Sequence, residues 1–249
     1  MIQGKLRNRR VMIENEADAS TLRNKGFLGR NIGQKLSLDL MTSLDLLLRK
    51  KIEVRRRTEQ VTSDHIVKML SQDEMKVATA YHFLKIKGLK PVIKKGSLFS
   101  SGTRVMVFRG SERINFENVR TRSCYLAITD SEGSCLLYSV SRLPMKRKME
   151  FNDSRGAVSE RRKHKGLIDL LESRGLKVAS GLKFGSEFRI YKKDSSHARY
   201  LMTFGSISLA RDLAAKVRIA QSVRKTFVQA CFLEKKREIL FLEIKWNRL

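Results

Sequence analysis

Three side chains in the C-terminal half of the sequence could share one piece of chemistry. Tyr191 ends an alternating stretch in which Phe184, Ser186, Phe188 and Ile190 point one way and Gly185, Glu187, Arg189 and Tyr191 the other. His197 closes the polar loop Lys192-Lys-Asp-Ser-Ser-His197. Lys225 opens a run that is apolar on both faces (Phe227, Val228, Ala230, Cys231, Phe232), where a lysine is costly to desolvate unless its ammonium reaches a polar site. A phenol, an imidazole and an ammonium can break an RNA phosphodiester without a metal. One group takes the 2′-OH proton, one gives a proton to the leaving 5′-oxygen, and one neutralises the crowded phosphate. Each residue also has an ordinary reading: a packed strand-end tyrosine, a surface histidine, a lysine snorkelling from a strand edge. The other histidines, His65, His82 and His164, have no evident partner in the sequence and read as surface or satisfied residues.

A metal-dependent alternative is poorly supplied. Divalent-metal cleavage needs clustered carboxylates. The region offers Glu187 and Asp194. Glu243-Ile-Lys245 spells half of a metal-nuclease pattern, but the nearest preceding aspartate, Asp212, falls in a predicted helix, so Glu243 and Lys245 read as the exposed face of a strand. There is no phosphate-cradling glycine loop of either common type. The expectation is therefore no metal site and no small-molecule cofactor.

The composition points to a polyanionic partner. Lys plus Arg number 52 against 25 Asp plus Glu, a net charge of +27, which favours nucleic acid or an anionic membrane. No amphipathic helix with aromatic anchors is evident, no run of about 18 apolar residues is present, and MIQGKLRNRR lacks the apolar core of a secretory signal. The expectation is a cytoplasmic protein with no membrane contact. The 41% hydrophobic content can build a real core. Three cysteines, odd in number and without CxxC spacing, argue against a disulfide framework or structural zinc.

The elements that must position the trio read as mixed α/β (α+β). Leucines at 36, 40, 44, 47 and 48 form one helical stripe, and a second helix spans 63–87 before Gly88. A repeat follows. GLKPVIKKGSLFSSGTRVMVF (88–108) resembles GLKVASGLKFGSEFRIY (175–191), matching Gly88 to Gly175, Gly96 to Gly181 and Gly102 to Gly185. Each copy leads to a pair of apolar runs, 123–128 with 135–140 and 226–233 with 239–246. Between them in the second copy lie a helix at 160–173, strands at 184–191 and 200–204, and a helix from Ser208. The fold expected is a duplicated unit, each copy a small mixed sheet flanked by helices, with an N-terminal subdomain of helix and strand. The divisions are 1–62 (N-terminal subdomain), 63–145 (first copy), 146–165 (basic linker) and 166–249 (second copy).

SGLKFGSEFRIY (180–191), His197-Ala-Arg-Tyr-Leu and Arg218-Ile-Ala-Gln-Ser-Val-Arg-Lys225 together resemble the archaeal tRNA-splicing endonucleases, whose pattern is a Gly-Phe-Gly strand ending in tyrosine, a histidine after a short loop, and R-x-A-x-S-V-x-K. The first part departs from the pattern, since Leu182 and Lys183 separate Gly181 from Phe184-Gly185, and the loop to His197 is short. Lys25-Gly-Phe-Leu-Gly29 followed by Leu36-Ser-Leu-Asp-Leu looks like the family's N-terminal domain. The resemblance implies a restriction-endonuclease-like catalytic domain with Tyr191 as general base, His197 as general acid and Lys225 stabilising the transition state. It implies cleavage of precursor tRNA at bulge–helix–bulge sites, giving 2′,3′-cyclic phosphate and 5′-hydroxyl ends. Arg218 matches the family arginine before the lysine; Arg218 and Trp246 are candidates to stack on a flipped-out base. With Arg122 at the lysine position, Phe108, which has no hydroxyl, at the tyrosine position and no histidine between them, the first copy would be inert. Its acidic turn, Asp130 to Glu132, is a candidate interface in a homodimer supplying two active sites. The alternative is a non-catalytic RNA-binding subunit of such an enzyme.

Overall fold

The computed structural model describes residues 1–24, 29–94, 96–119, 123–144 and 159–248. Arg122, residues 25–28 of the N-terminal motif and residues 145–158 of the basic stretch lie outside them. The chain divides into two compact units, Met1–Val107 with Thr129–Cys135, and Phe108–Ile128 with Leu136–Leu249.

The first unit runs β1 (Ile2–Arg7), β2 (Arg10–Ile13), α1 (Glu16–Asn24), β3 (Arg30–Ile32), β4 (Lys35–Asp39), α2 (Leu40–Leu48), β5 (Ile52–Arg56), β6 (Glu59–Val61), α3 (Ser63–Met69), α4 (Gln72–Ile86), β7 (Pro91–Lys94), β8 (Ser97–Ser100) and most of β9 (Thr103–Arg109). Six strands form a sheet in the order β3-β4-β2-β1-β5-β6, antiparallel except for the β1–β5 pair. Val11, Ile13, Leu36, Leu38, Ile52 and Val54 pack with Leu22, Leu44, Leu46 and Ile66 into one core.

The leucine stripe is not one helix. Leu36 and Leu38 alternate along β4, opposite Ile13 and Val11. Asp39 then caps α2, its carboxylate accepting from the Thr42 N–H at 2.8 Å and the Thr42 hydroxyl at 3.1 Å. Spacing of four suits both periods, so 36, 40 and 44 could not locate the change. The helix expected over 63–87 is likewise two. Ser71 opens α4 with a reciprocal capping box, its hydroxyl taking the Glu74 N–H at 3.2 Å and the Glu74 carboxylate taking the Ser71 N–H at 2.8 Å.

The second unit contains β10 (Arg113–Asn115), β11 (Ser123–Thr129), β12 (Cys135–Arg142), α5 (Glu160–Glu172), β13 (Leu176–Ser180), β14 (Phe188–Lys192), β15 (Tyr200–Phe204), β16 (Ile207–Leu209), α6 (Ala210–Ser222), β17 (Thr226–Leu233) and β18 (Glu238–Asn247). Its main sheet has the order β13-β14-β15-β17-β18-β12-β11. The parallel β15–β17 step is crossed over by β16 and α6, and α5 packs Leu167, Leu170 and Leu171 against Ile190, Met202 and Val228. Residues 160–165 of the basic stretch are thus the first turns of α5. All three cysteines are buried thiols, and burial pushes Cys135 and Cys231 up to about 12. No helix among the described residues is long and apolar enough to cross a membrane.

The element order β7, β8, β9, β10, β11, β12 parallels β13, β14, β15, β16, β17, β18, with α6 inserted in the later series. Two like elements meet like: β10 pairs antiparallel with β16, and β12 with β18. This order corrects part of the residue matching. β8 is the counterpart of β14, and it ends at Ser100 in a two-residue turn, Ser101-Gly102, with φ of 48° and 78°. Phe108 lies on β9, the counterpart of β15, so it does not occupy the position of Tyr191. Gly102 turns β8 into β9, whereas Gly185 precedes β14, so those two glycines are not equivalent.

Candidate active site

The glycine-rich approach to Tyr191 is a turn, not the first half of a strand. Residues Leu182–Phe184 form a 3-10 turn, and β14 begins only at Phe188. Gly181 donates its N–H to Glu187 O at 2.8 Å, and its carbonyl accepts from Phe184 N at 2.8 Å. A Cβ on Gly181 would sit 2.9 Å from the carbonyl carbon and oxygen of Phe188 and from Ser186 O, all backbone atoms that cannot step aside. Gly185 takes φ of 65°, the left-handed region a side chain resists. The tight turn therefore explains the glycines and sets the start of the strand that carries Tyr191. Gly181→Ala is expected to destabilise this unit by ~1–3 kcal/mol, as overpacking does. A urea midpoint equal to wild type would contradict the close approach.

His197 is delivered by the next loop. Asp194 turns the chain at φ of 63°. Ser195 Oγ donates to His197 O at 2.9 Å and accepts from His197 N at 3.3 Å, while Ala198 is buried beneath. Lys225 is delivered by the end of α6. Val217 and Ala220 are buried, and the Ser222 hydroxyl bonds Ile219 O at 2.8 Å. Arg224 then reverses the chain at φ of 54°, and Lys225 N closes on Ala220 O at 2.7 Å. The R-x-A-x-S-V-x-K pattern is thus a helix end, a left-handed turn and a strand start in one piece.

Three adjacent strands end together. Ile190 pairs with Tyr200 and Tyr200 with Thr226. One rung further out, Arg199 N donates to Ile190 O at 2.9 Å and Thr226 N donates to Arg199 O at 3.2 Å. Tyr191 follows Ile190, His197 precedes Arg199 by two residues, and Lys225 precedes Thr226, so all three lie at one edge of β14, β15 and β17. With one strand between them, Tyr191 and Lys225 have backbones ~10 Å apart, within reach of two long side chains. By register parity Lys177, Tyr191 and Lys225 share a face. The Arg189 guanidinium stands 5.8 Å from the Tyr191 ring centre, held by a 2.7 Å bond to Ser180 O.

Trp246 joins the same row, since the β17–β18 register continued by two residues from Phe227–Ile244 sets it opposite Lys225. The Arg218 and Arg248 guanidiniums stand 5.1 and 5.0 Å from its ring centre, and Gln221 Nε2 donates to Trp246 O at 3.3 Å. Arg248, Arg189 and Arg199 were not singled out from sequence; the i, i+2 spacing of Arg189 to Tyr191 on a strand was the available signal. Asp130 and Glu132 lie apart from this edge in sequence and belong to the first unit, where Asp130 Oδ1 accepts from Glu132 N at 3.0 Å and Ser134 N at 2.8 Å to shape an exposed turn.

The remaining histidines do have partners. His82 Nδ1 lies 2.7 Å from the fully buried carboxylate of Asp45. His65 closes the capping box of α3 with Thr62, and His164 stands 3.3 Å from Glu187 and edge-on to Phe204. Glu243 pairs with Lys245 at 2.8 Å. No group of three or more metal-ligating side chains occurs among the described residues.

Comparison with known proteins supplies the family. Residues 2–67 match the tRNA intron endonuclease N-terminal domain and residues 168–241 the tRNA intron endonuclease catalytic C-terminal domain. The two matches together take in more than half of the chain. The chain belongs to the tRNA intron endonuclease family. A tRNA-splicing endonuclease of Pyrococcus furiosus is 30% identical over 127 residues, which is 50% of this chain and 68% of that protein. One from Pyrococcus abyssi is 38% identical over 79 residues, 30% of this chain and 46% of that protein. One from Methanococcus maripaludis is 39% identical over 66 residues, 24% of this chain and 37% of that protein. For two of these three relatives the chain therefore spans less than half of their length. The catalytic-domain match contains Tyr191, His197, Arg218 and Lys225 and stops short of Trp246.

Proposed function

We propose that this chain removes introns from precursor tRNA by cutting at bulge–helix–bulge splice sites, with no metal in the reaction. The observation that carries the reading is the common edge of β14, β15 and β17, which brings Tyr191, His197 and Lys225 together in a member of this family. In the proposed step the 2′-oxygen attacks the adjacent phosphorus and its proton passes to the Tyr191 oxygen. The bond from phosphorus to the 5′-oxygen breaks, and His197 gives that oxygen a proton. The Lys225 ammonium neutralises the added charge on the phosphate. The products are a 2′,3′-cyclic phosphate and a 5′-hydroxyl. Arg218 and Trp246 hold a bulge base by stacking.

The same reading takes residues 63–145 as an inert copy. Its β8 ends in the two-residue Ser101-Gly102 turn where the active copy has a loop carrying histidine. Two chains then supply two active sites for two bulges, with the Asp130–Glu132 turn as interface and the cytoplasm as the place of action. The test is incubation with a bulge–helix–bulge RNA in EDTA, followed by end-group analysis. Cleavage in chelator with cyclic phosphate ends is expected, and a substrate carrying deoxyribose at the cleavage nucleotide should resist. Activity lost in EDTA, or normal cutting of the deoxy substrate, overturns the mechanism. Binding without cleavage by the purified chain makes it the RNA-binding subunit instead. Sedimentation at twice the 28.7 kDa chain mass is expected, and Asp130→Lys should shift it toward monomer.

A further inference from the structure

A depression of about 530 Å³ opens between the end of α5, the start of β13 and the loop that delivers His197. Glu172, Lys177, Lys192, Lys193 and Asp194 supply its charged lining. Three cations against two carboxylates leave no large surplus, so position and not net charge decides what it takes. Lys192 follows Tyr191 on β14 and faces the other side of the sheet, and Lys193 and Asp194 belong to the loop. Lys177 is placed differently. It pairs directly with Tyr191 across the β13–β14 ladder, which sets their Cβ atoms ~5 Å apart. Its neighbours Leu176 and Val178 pack toward the core under α5. Alternation then turns Lys177 to the face that carries Tyr191 and Lys225.

The other cations of this face are engaged. The Arg189 guanidinium is tied to Ser180 O and stands over the Tyr191 ring. That of Arg199 lies 5.3 Å from the centre of the Tyr200 ring. Lys225 serves the scissile phosphate. The Lys177 side chain is exposed and makes no hydrogen bond or ion pair among the described residues, with Glu172 and Asp194 included. A lysine on an edge strand often only keeps another sheet from adding, but that task asks for no particular place along the strand. Lys177 is the one charged residue of β13, and it stands at the rung of the tyrosine. The row across consecutive strands reads Lys177, Tyr191, the Arg199 rung, Lys225. The scissile phosphorus lies between Tyr191 and Lys225. Lys177 is beyond Tyr191, on the side of the attacking 2′-oxygen, with its backbone ~14 Å from that of Lys225. Its ammonium therefore meets the RNA strand upstream of the cut.

We infer that Lys177 is a substrate-binding residue that holds the phosphate on the 5′ side of the nucleotide whose 2′-oxygen attacks. The inference rests on the proposed cleavage reading, but its test is a binding measurement. The probe is a bulge–helix–bulge RNA with deoxyribose at each cleavage nucleotide, carrying a neutral methylphosphonate either at that upstream phosphate or, as a control, at the phosphate downstream of the cut. In filter binding, Lys177→Ala and the upstream methylphosphonate should each weaken affinity by roughly twofold to fivefold, the worth of an exposed ion pair, and together by no more than either alone. The slope of log affinity against log salt should become shallower by about one in Lys177→Ala. Lys177→Glu tests the sign. It should bind the all-phosphate RNA more weakly still, and the upstream methylphosphonate should restore affinity, a result that loss of structure cannot produce. Losses that multiply, with no restoration in Lys177→Glu, overturn the inference and leave Lys177 as a guard of the sheet edge. A cycle that closes on the downstream phosphate overturns the assigned side. If the cycle closes upstream yet the all-ribose RNA is never cut in EDTA, the cleavage reading fails and this contact stands.

Discussion

Tyr191→Phe, His197→Ala and Lys225→Ala are each expected to slow cleavage of a bulge–helix–bulge RNA by ~10²–10⁴-fold, the usual worth of a positioned acid or base, while RNA affinity stays close to wild type. The expectation follows from where the side chains stand. None of the three is in the buried core, and each is set by backbone bonds that its own side chain does not make. Removing the phenolic oxygen, the imidazole or the ammonium should therefore leave the sheet intact. Single-turnover rates at saturating enzyme separate the chemical step from binding. The pairwise variants carry the sharper content. Groups that serve one transition state are strongly non-additive, so a chain lacking both Tyr191 and His197 functions should be little slower than the slower single variant. Full additivity of the two effects would place them in different events. An unchanged rate for any one of them would remove it from the reaction, and loss of RNA binding in parallel with rate would make it a binding residue.

How much of this was legible in the sequence depended on whether a signal was local. The end of β14, the loop to His197 and the entry to β17 are contiguous stretches whose residue types encode turn chemistry, so these local elements are legible before any geometry. The Gly181–Gly185 segment is visible as a motif, but alternation from Phe184 onward predicts strand for its end. Only the close approach of Gly181 to the backbone of Phe188 shows that it is a turn. Leu36 failed for a different reason: spacing of four belongs to both periods, and the pairing with Ile13 that decides it comes from a distant part of the chain. Nothing local in the sequence pairs His82 with Asp45, which lies 37 residues earlier, and the two meet only when α2 packs on α4. Phe108 was misplaced because the first copy lacks the long loop, and aligning it by glycines put a residue of β9 where β8 ends. Arg189, Arg199 and Arg248 were hidden in a sequence so rich in cations that no single one stands out.

That surplus sets the second large effect. Between ~50 and ~200 mM salt, affinity for precursor tRNA should fall by ~10³–10⁵-fold if about six to ten phosphates are contacted. The net charge of +27 makes such a count reachable. The strand edge that carries Tyr191, His197 and Lys225, with its near neighbours, presents Lys177, Lys192, Lys193, Arg199, Arg224 and Arg248 as exposed cations. Each phosphate neutralised releases bound counterions, and the release is what salt opposes. Stacking obeys a different rule. If Trp246, flanked by Arg218 and Arg248, holds a bulge base by its ring, Trp246→Ala should lower affinity at every salt concentration by ~1–3 kcal/mol, the worth of one base on one aromatic, with no change of slope. Arg218→Ala should do both, since it loses a stacking plane and a charge. The two parts of recognition can thus be separated on one plot, as slope and as offset. A flat salt response would reduce the charge to a solubility device. A slope that changes with Trp246→Ala would show that the indole acts by ordering its two arginines, and the base would then have to be held by something else.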